Sequence, residues 1–154
     1  LGIDIWPEGT PHSGNKFFMA MASISYVNND WMISPQLNGT SQVISFFAKA
    51  FTTQKGTTER MRVLYSTTDT DPAHFVQVSR GDYIELPETW TEYSFRLPEG
   101  AKYFAINCVS PGGKQSFALF VDDHATAMRQ ATTRSMLSVP FTTRPSAHLA
   151  RKWK

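Results

Sequence analysis

The sequence predicts an all-β fold, an antiparallel sandwich or jelly roll, and three observations carry that expectation. Eight short runs rich in β-branched and aromatic residues follow one another between residues 17 and 122. Turn-forming residues separate them at regular intervals. No stretch among them repeats its apolar residues at a helical period, and strands at this spacing pack as two sheets.

The runs justify themselves in order. FFMAMAS (17–23) is apolar up to its last residue, and DWMIS (30–34) sets Trp31, Met32 and Ile33 between a polar turn and Pro35. QVISFFAKAF (42–51) begins after Asn38-Gly39. Its ISFFAKAF portion is apolar on both faces, as a strand is when central in its sheet or lying beneath a loop. Lys55-Gly56 precedes RMRVLYST (60–67), where Met61, Val63 and Tyr65 oppose Arg60, Arg62 and Leu64. Asp71-Pro72 breaks the chain before HFVQVSR (74–80). In TEYSFRL (91–97), Tyr93, Phe95 and Leu97 take one face, and Glu92, Ser94 and Arg96 the other. AKYFAINCV (101–109) lies between Pro98-Glu99-Gly100 and Pro111-Gly112-Gly113. SFALFVD (116–122) closes the series, its FALFV again apolar on both faces. Asn38-Gly39-Thr40 fits a glycosylation sequon, but Asn-Gly is first a hairpin signal, and the turn reading is preferred.

A chain of 154 residues suits one domain. It starts at Leu1 without a basic-then-apolar leader, which reads as a mature or excised piece of a longer protein. No apolar run approaches the ~20 residues of a membrane-spanning helix. Cys108 stands alone within YFAINCV, which excludes an internal disulfide and reads as a small buried hydrophobe.

The net charge of +2 conceals a split. Residues 1–123 hold all thirteen acids against nine Lys and Arg, whereas residues 124–154 hold six Lys and Arg and no acid. The expected organisation is therefore a sandwich over 1–123 and a basic tail over 124–154, partly disordered or weakly helical across 125–137. A basic tail can hold acidic polymers through its charge, but a solvated segment is the preferred reading, and no nucleic-acid partner is expected.

Catalytic signatures are missing from the sequence. It has no glycine-rich phosphate loop, GxSxG elbow, HExxH or CxxC pair, and its histidines stand apart at 12, 74, 124 and 148. TTDTD (67–71) supplies oxygen ligands but lacks the glycine and downstream glutamate of an EF-hand, so it reads as a polar hairpin loop. These observations predict a protein that is not an enzyme and has no catalytic residues.

Several stretches stand in a recognisable order: HSGNKFFMAMAS (12–23), NNDWMISPQL (28–37), VISFFAKA (43–50), MRVLYSTTDTDPAHF (61–75) and LPETWTEYSFRLPEGAKYFAINCVSPGGKQSFALFVDD (86–123). Together they resemble the cleaved-adhesin or choice-of-anchor J family, whose domains accompany secreted proteases, haemagglutinins and surface proteins of anaerobic bacteria, gingipains included. The resemblance implies a jelly-roll β-sandwich, galactose-binding-like and MAM-like. It also implies a secreted or surface location on a longer parent chain, adhesion to host protein or glycan, and a structural calcium ion. A purely structural spacer is the alternative. Two departures stand out. Only LGIDIWPEGTP precedes the HSGN stretch, so the family's usual first strand is expected to be missing or replaced. After Asp122-Asp123 the chain turns into the basic HATAMRQ segment instead of a β-branched strand. A lost first strand would leave a sheet edge open unless the tail or a neighbouring domain covers it.

By resemblance, Asp122 and Asp123 are where a calcium ligand is expected; read alone, they are an exposed acid pair at a strand end. Asp30 either joins that ion or closes a turn. Trp31 and Trp90 read as core residues offering their N–H to a carbonyl. Trp6, Tyr26 and Tyr83 are the candidate exposed aromatics for ligand binding.

Overall fold

A computed structural model of the chain describes residues 10–23, 25–51, 58–113, 117–128, 136–137 and 142–143. Trp6, the Lys55-Gly56 turn, the LGIDIWPEG start and most of the basic tail lie outside the described residues. The described strands are β1 (Phe18–Met21), β2 (Asp30–Ile33), β3 (Gln42–Phe51), β4 (Glu59–Ser66), β5 (Val76–Gln77), β6 (Ile84–Leu86), β7 (Thr91–Leu97), β8 (Tyr103–Cys108), β9 (Ala118–Met128), β10 (Met136–Leu137) and β11 (Thr142–Thr143).

They form two antiparallel sheets, the sandwich expected from the sequence. One sheet runs β1-β9-β3-β7, with β10 added to β9; the other runs β11-β2-β8-β4-β5, with β6 added to β4. Between the sheets lie Ile44, Phe46 and Ala48 of β3, Leu119 and Val121 of β9, Met32 of β2, Met61 and Val63 of β4, and Phe104, Ile106 and Cys108 of β8. Cys108 is 1% exposed, and burial pushes its thiol up to about 12, so it packs as the small hydrophobe expected.

The two strands that are apolar on both faces, β3 and β9, are the central pair of the first sheet. Their outward residues Phe51, Ala118 and Phe120 form a second apolar cluster beneath Phe17, Met19, Trp90 and Phe117. Lys49 is nearly buried there, its ammonium over the Trp90 and Phe120 rings at 5.3 and 5.5 Å. The alternation in β4 and β7 holds as read: Tyr65, Tyr93 and Phe95 pack on the core, while Glu92, Ser94 and Arg96 face solvent.

Three expectations need correction. The strand holding Asp122 and Asp123 does not end at the acids but runs on to Met128, paired with β3 as far as Gln42. Residues 125–128 are therefore extended, not helical, and Met136–Leu137 is a short strand as well. Pairing with β3 overrides the mild helical pattern of HATAM. The tail also supplies edge strands: β10 pairs with Thr126 and Ala127 of β9, and β11 with Met32 and Ile33 of β2. Trp31 belongs to neither core cluster, whereas Trp90 packs against the second one and offers its N–H to a carbonyl as expected. Trp31 is half-buried against Phe75 and donates to the Asn29 side chain at 2.8 Å, while Trp90 donates to the Thr10 carbonyl at 3.3 Å.

The turn chemistry behaves as read. Asn38 Oδ1 accepts from the Thr40 N–H at 3.1 Å, closing an Asx turn. In TTDTDP, Asp69 accepts from the Asp71 N–H and contacts His74, and Asp71 caps the 3-10 turn Pro72–His74.

Candidate functional site

Two places gather polar and exposed side chains. The first is a carboxylate corner halfway along β9. There Phe47 pairs with Asp122 but Ser45 pairs with Ala125, so β9 carries one residue more than β3. Asp123 takes up the bulge with a φ of +48°, a left-handed conformation that Asp tolerates better than most residues. The bend aims both carboxylates at the segment leading into β1. Asp122 is buried; its Oδ2 accepts from the backbone N–H groups of His12 and Ser13 at 2.8 and 3.2 Å, and its Oδ1 from the Asp123 N–H at 2.8 Å. Asp123 Oδ2 lies 2.5 Å from His12 Nδ1, and its Oδ1 accepts from the Ser13 hydroxyl. The His12 ring stacks on Phe47 with centroids 3.7 Å apart.

Asp30 does not belong to this corner. It sits in the opposite sheet, where the Asn28 side-chain amide donates to its carboxylate at 2.6 Å and to the Met21 carbonyl at 2.8 Å. Met21 and the corner are separated by the length of β1, roughly 10 Å. Asp30 thus stands apart from the two acids of the corner. Among the described residues no three His, Cys, Asp or Glu side chains gather as a ready metal centre. As a calcium site, the corner offers two carboxylates and the Ser13 hydroxyl, hard oxygen donors of the right kind. Carbonyls and water would have to complete the six to eight ligands that calcium takes.

The second place is the end of the sandwich where β1, β4, β8 and β9 meet their loops. Tyr26 and Val27 are 47% and 60% exposed, beside the half-exposed Met21. Their loop is braced from beneath. The Asn28 N–H donates to the Ser110 carbonyl at 2.9 Å, Asn28 Oδ1 accepts from the Ser23 N–H, and the Gly113 N–H donates to the Ser23 carbonyl. Gly112 has a φ of +76° and lies so close that a Cβ would strike the Tyr26 carbonyl.

Under this brace is Glu59, fully buried. It accepts from the Ser110 hydroxyl at 2.5 Å and from the backbone N–H groups of Phe117 and Ala118. Burial raises its carboxyl above the ordinary glutamate value, and these hydrogen bonds partly offset the rise. Tyr83, 40% exposed, lies over the Arg60 guanidinium at 4.3 Å.

Tyr26 and Tyr83 are exposed, as read from the sequence. His12, Ser13, Glu59 and Ser110 were not singled out there. Glu59 was legible in principle, because extending the Met61, Val63, Tyr65 set back by two residues places it on the buried face. His12 and Ser13 meet the acids only through the fold.

The fold is a two-sheet antiparallel sandwich similar to that of solved cleaved adhesin domains. Among solved structures, the chain is similar to the K1 cleaved adhesin domain of Lys-gingipain from Porphyromonas gingivalis W83, with 18% identity, a TM-score of 0.65 and 80% of each chain covered. It is likewise similar to the K2 domain of Lys-gingipain, at 18% identity and TM-score 0.63, with 76% of this chain and 75% of that one covered. The K3 domain, from the same organism as K1, gives 19% identity and TM-score 0.56, over 76% of this chain and 81% of that one. No family model matches the sequence, and no curated protein matches it.

Proposed function

We propose that this chain is a non-catalytic, adhesin-type module of a longer secreted or surface bacterial protein, binding host protein or glycan through the loops at one end of its sandwich. The carrying observation is the exposed Tyr26–Val27 loop tip held over a buried polar brace. Exposed apolar and aromatic side chains on a loop pinned from below lose little entropy on binding, which suits recognition. The likeness to adhesin domains of Lys-gingipain supports the same reading. A glycan array and a pull-down with matrix proteins test it, run with the parent chain and with Tyr26→Ala. Binding that falls with the substitution supports the loop tip. Silence of the parent in both assays would favour a structural spacer.

The reading includes a structural calcium at the corner, with Asp122, Asp123 and Ser13 as its side-chain ligands. Such an ion would tie β9 to the segment before β1. Melting with chelator and with millimolar calcium tests it: at a hundred times its dissociation constant the ion adds about 2.7 kcal/mol. A parent whose melting ignores calcium removes the ion from the proposal.

A further inference from the structure

Natural sheets blunt their edges with short strands, prolines, bulges or inward charges, since an open edge is a template for another strand. Most edges here are treated that way. Among the described residues β1 has four residues, β6 three, and β5, β10 and β11 two each. The seven-residue edge strand β7 is the exception. It pairs with β3 from Thr91 to Leu97 without a register shift, contains no proline, and turns Tyr93 and Phe95 inward instead of charges. No other described segment pairs with its outer side.

The outward residues of β7 are Glu92, Ser94 and Arg96. Their order makes the strand complementary to itself. An antiparallel pairing of two β7 strands about a two-fold axis through Ser94 sets Glu92 opposite the partner's Arg96, and Arg96 opposite the partner's Glu92. On the inner face the same register sets Tyr93 opposite the partner's Phe95, an aromatic cross-strand pair that extends both cores. A one-residue slip would lose both matches. We infer that β7 is a self-association edge, through which two copies of this chain join their β1-β9-β3-β7 sheets into one continuous sheet. A contact of one strand a side belongs with small interfaces, below about 1,200 Å², so the dimer is weak and concentration-dependent.

Sedimentation velocity of the full chain over a micromolar-to-millimolar series is the test, with Glu92→Arg and Arg96→Glu as variants. Both positions are exposed, so the fold is preserved. Each single swap turns two attractive pairs into two repulsive ones and should weaken dimerisation about tenfold. The double swap restores it. An equimolar mixture of the two single variants should form a heterodimer, since one then presents two arginines and the other two glutamates. A parent that stays monomeric throughout, or a dimer indifferent to the swaps, overturns the inference.

Discussion

Removing the buried carboxylate of Glu59 is the sharpest perturbation this fold invites. Glu59 is 0% exposed and receives the Ser110 hydroxyl together with the Phe117 and Ala118 N–H groups. In Glu59→Ala the hydroxyl can turn toward Cys108 Sγ, 3.5 Å away, but the two N–H groups lose their acceptor. A buried donor left without a partner costs about 1–3 kcal/mol, so the pair and the cavity together cost roughly 3–6 kcal/mol. For a chain of this size that lowers Tm by roughly 6–20 °C. Glu59→Gln keeps an acceptor for the N–H groups and gives Ser110 Oγ a donor, so it should stay within about 1 kcal/mol of the parent. The pH dependence separates the two further. Because the folded carboxyl titrates above its unfolded value, the folded state holds the extra proton. That contribution is complete below the unfolded value and is lost as pH rises through the folded one. The Gln variant lacks this loss, so it should gain on the parent as pH rises from below the unfolded glutamate value through the raised folded one. Thermal unfolding followed by circular dichroism measures both effects. An Ala variant within about 1 kcal/mol of the parent, or a Gln variant with the parent's pH slope, would refute the reasoning.

Gly112→Ala forces a Cβ against the Tyr26 carbonyl at a φ of +76°, and should destabilise by about 2–4 kcal/mol in urea unfolding, loosening the loop tip first. Cys108, 1% exposed with its thiol raised to about 12, should resist thiol reagents in the native protein and react at once in denaturant. His74, raised by its hydrogen bond to Asp69, should titrate above 6.5 by NMR, and Asp69→Asn should bring it back down. The small stability this exposed pair gives is present below the unfolded histidine value and disappears as pH rises through the folded one.

Local pattern carried much of this architecture. The two-residue alternation of Tyr93, Phe95 and Leu97 assigned their face, and the double-faced runs in β3 and β9 marked the central strands, because burial leaves its period in the sequence. What local pattern could not carry was anything settled by pairing across long separations. HATAM has no strand signal of its own and is extended because it lies along Gln42–Ser45. Asp122 and Asp123 were visible as acids after an apolar run, but not their bulge or their meeting with His12 and Ser13, more than a hundred residues away. Trp31 misled for a related reason: a large aromatic beside apolar residues reads the same whether its strand turns it inward or outward. Asp30 lies in the opposite sheet from the two acids, a separation that only the strand pairing reveals.

The central position of β9 also sets a schedule. β3, hydrophobic on both faces, leaves the ribosome long before the strand that must lie beside it, and at ordinary elongation rates the interval is roughly 4–15 s. During that time one flank of β3 has no native neighbour, and its phenylalanines Phe46, Phe47 and Phe51 have no lid. A nascent chain in this state is a client for any holdase that grips extended apolar segments. Completing the first sheet is therefore a late event in the life of the chain, governed by when residues 118–128 arrive and not by how stable the finished sandwich is.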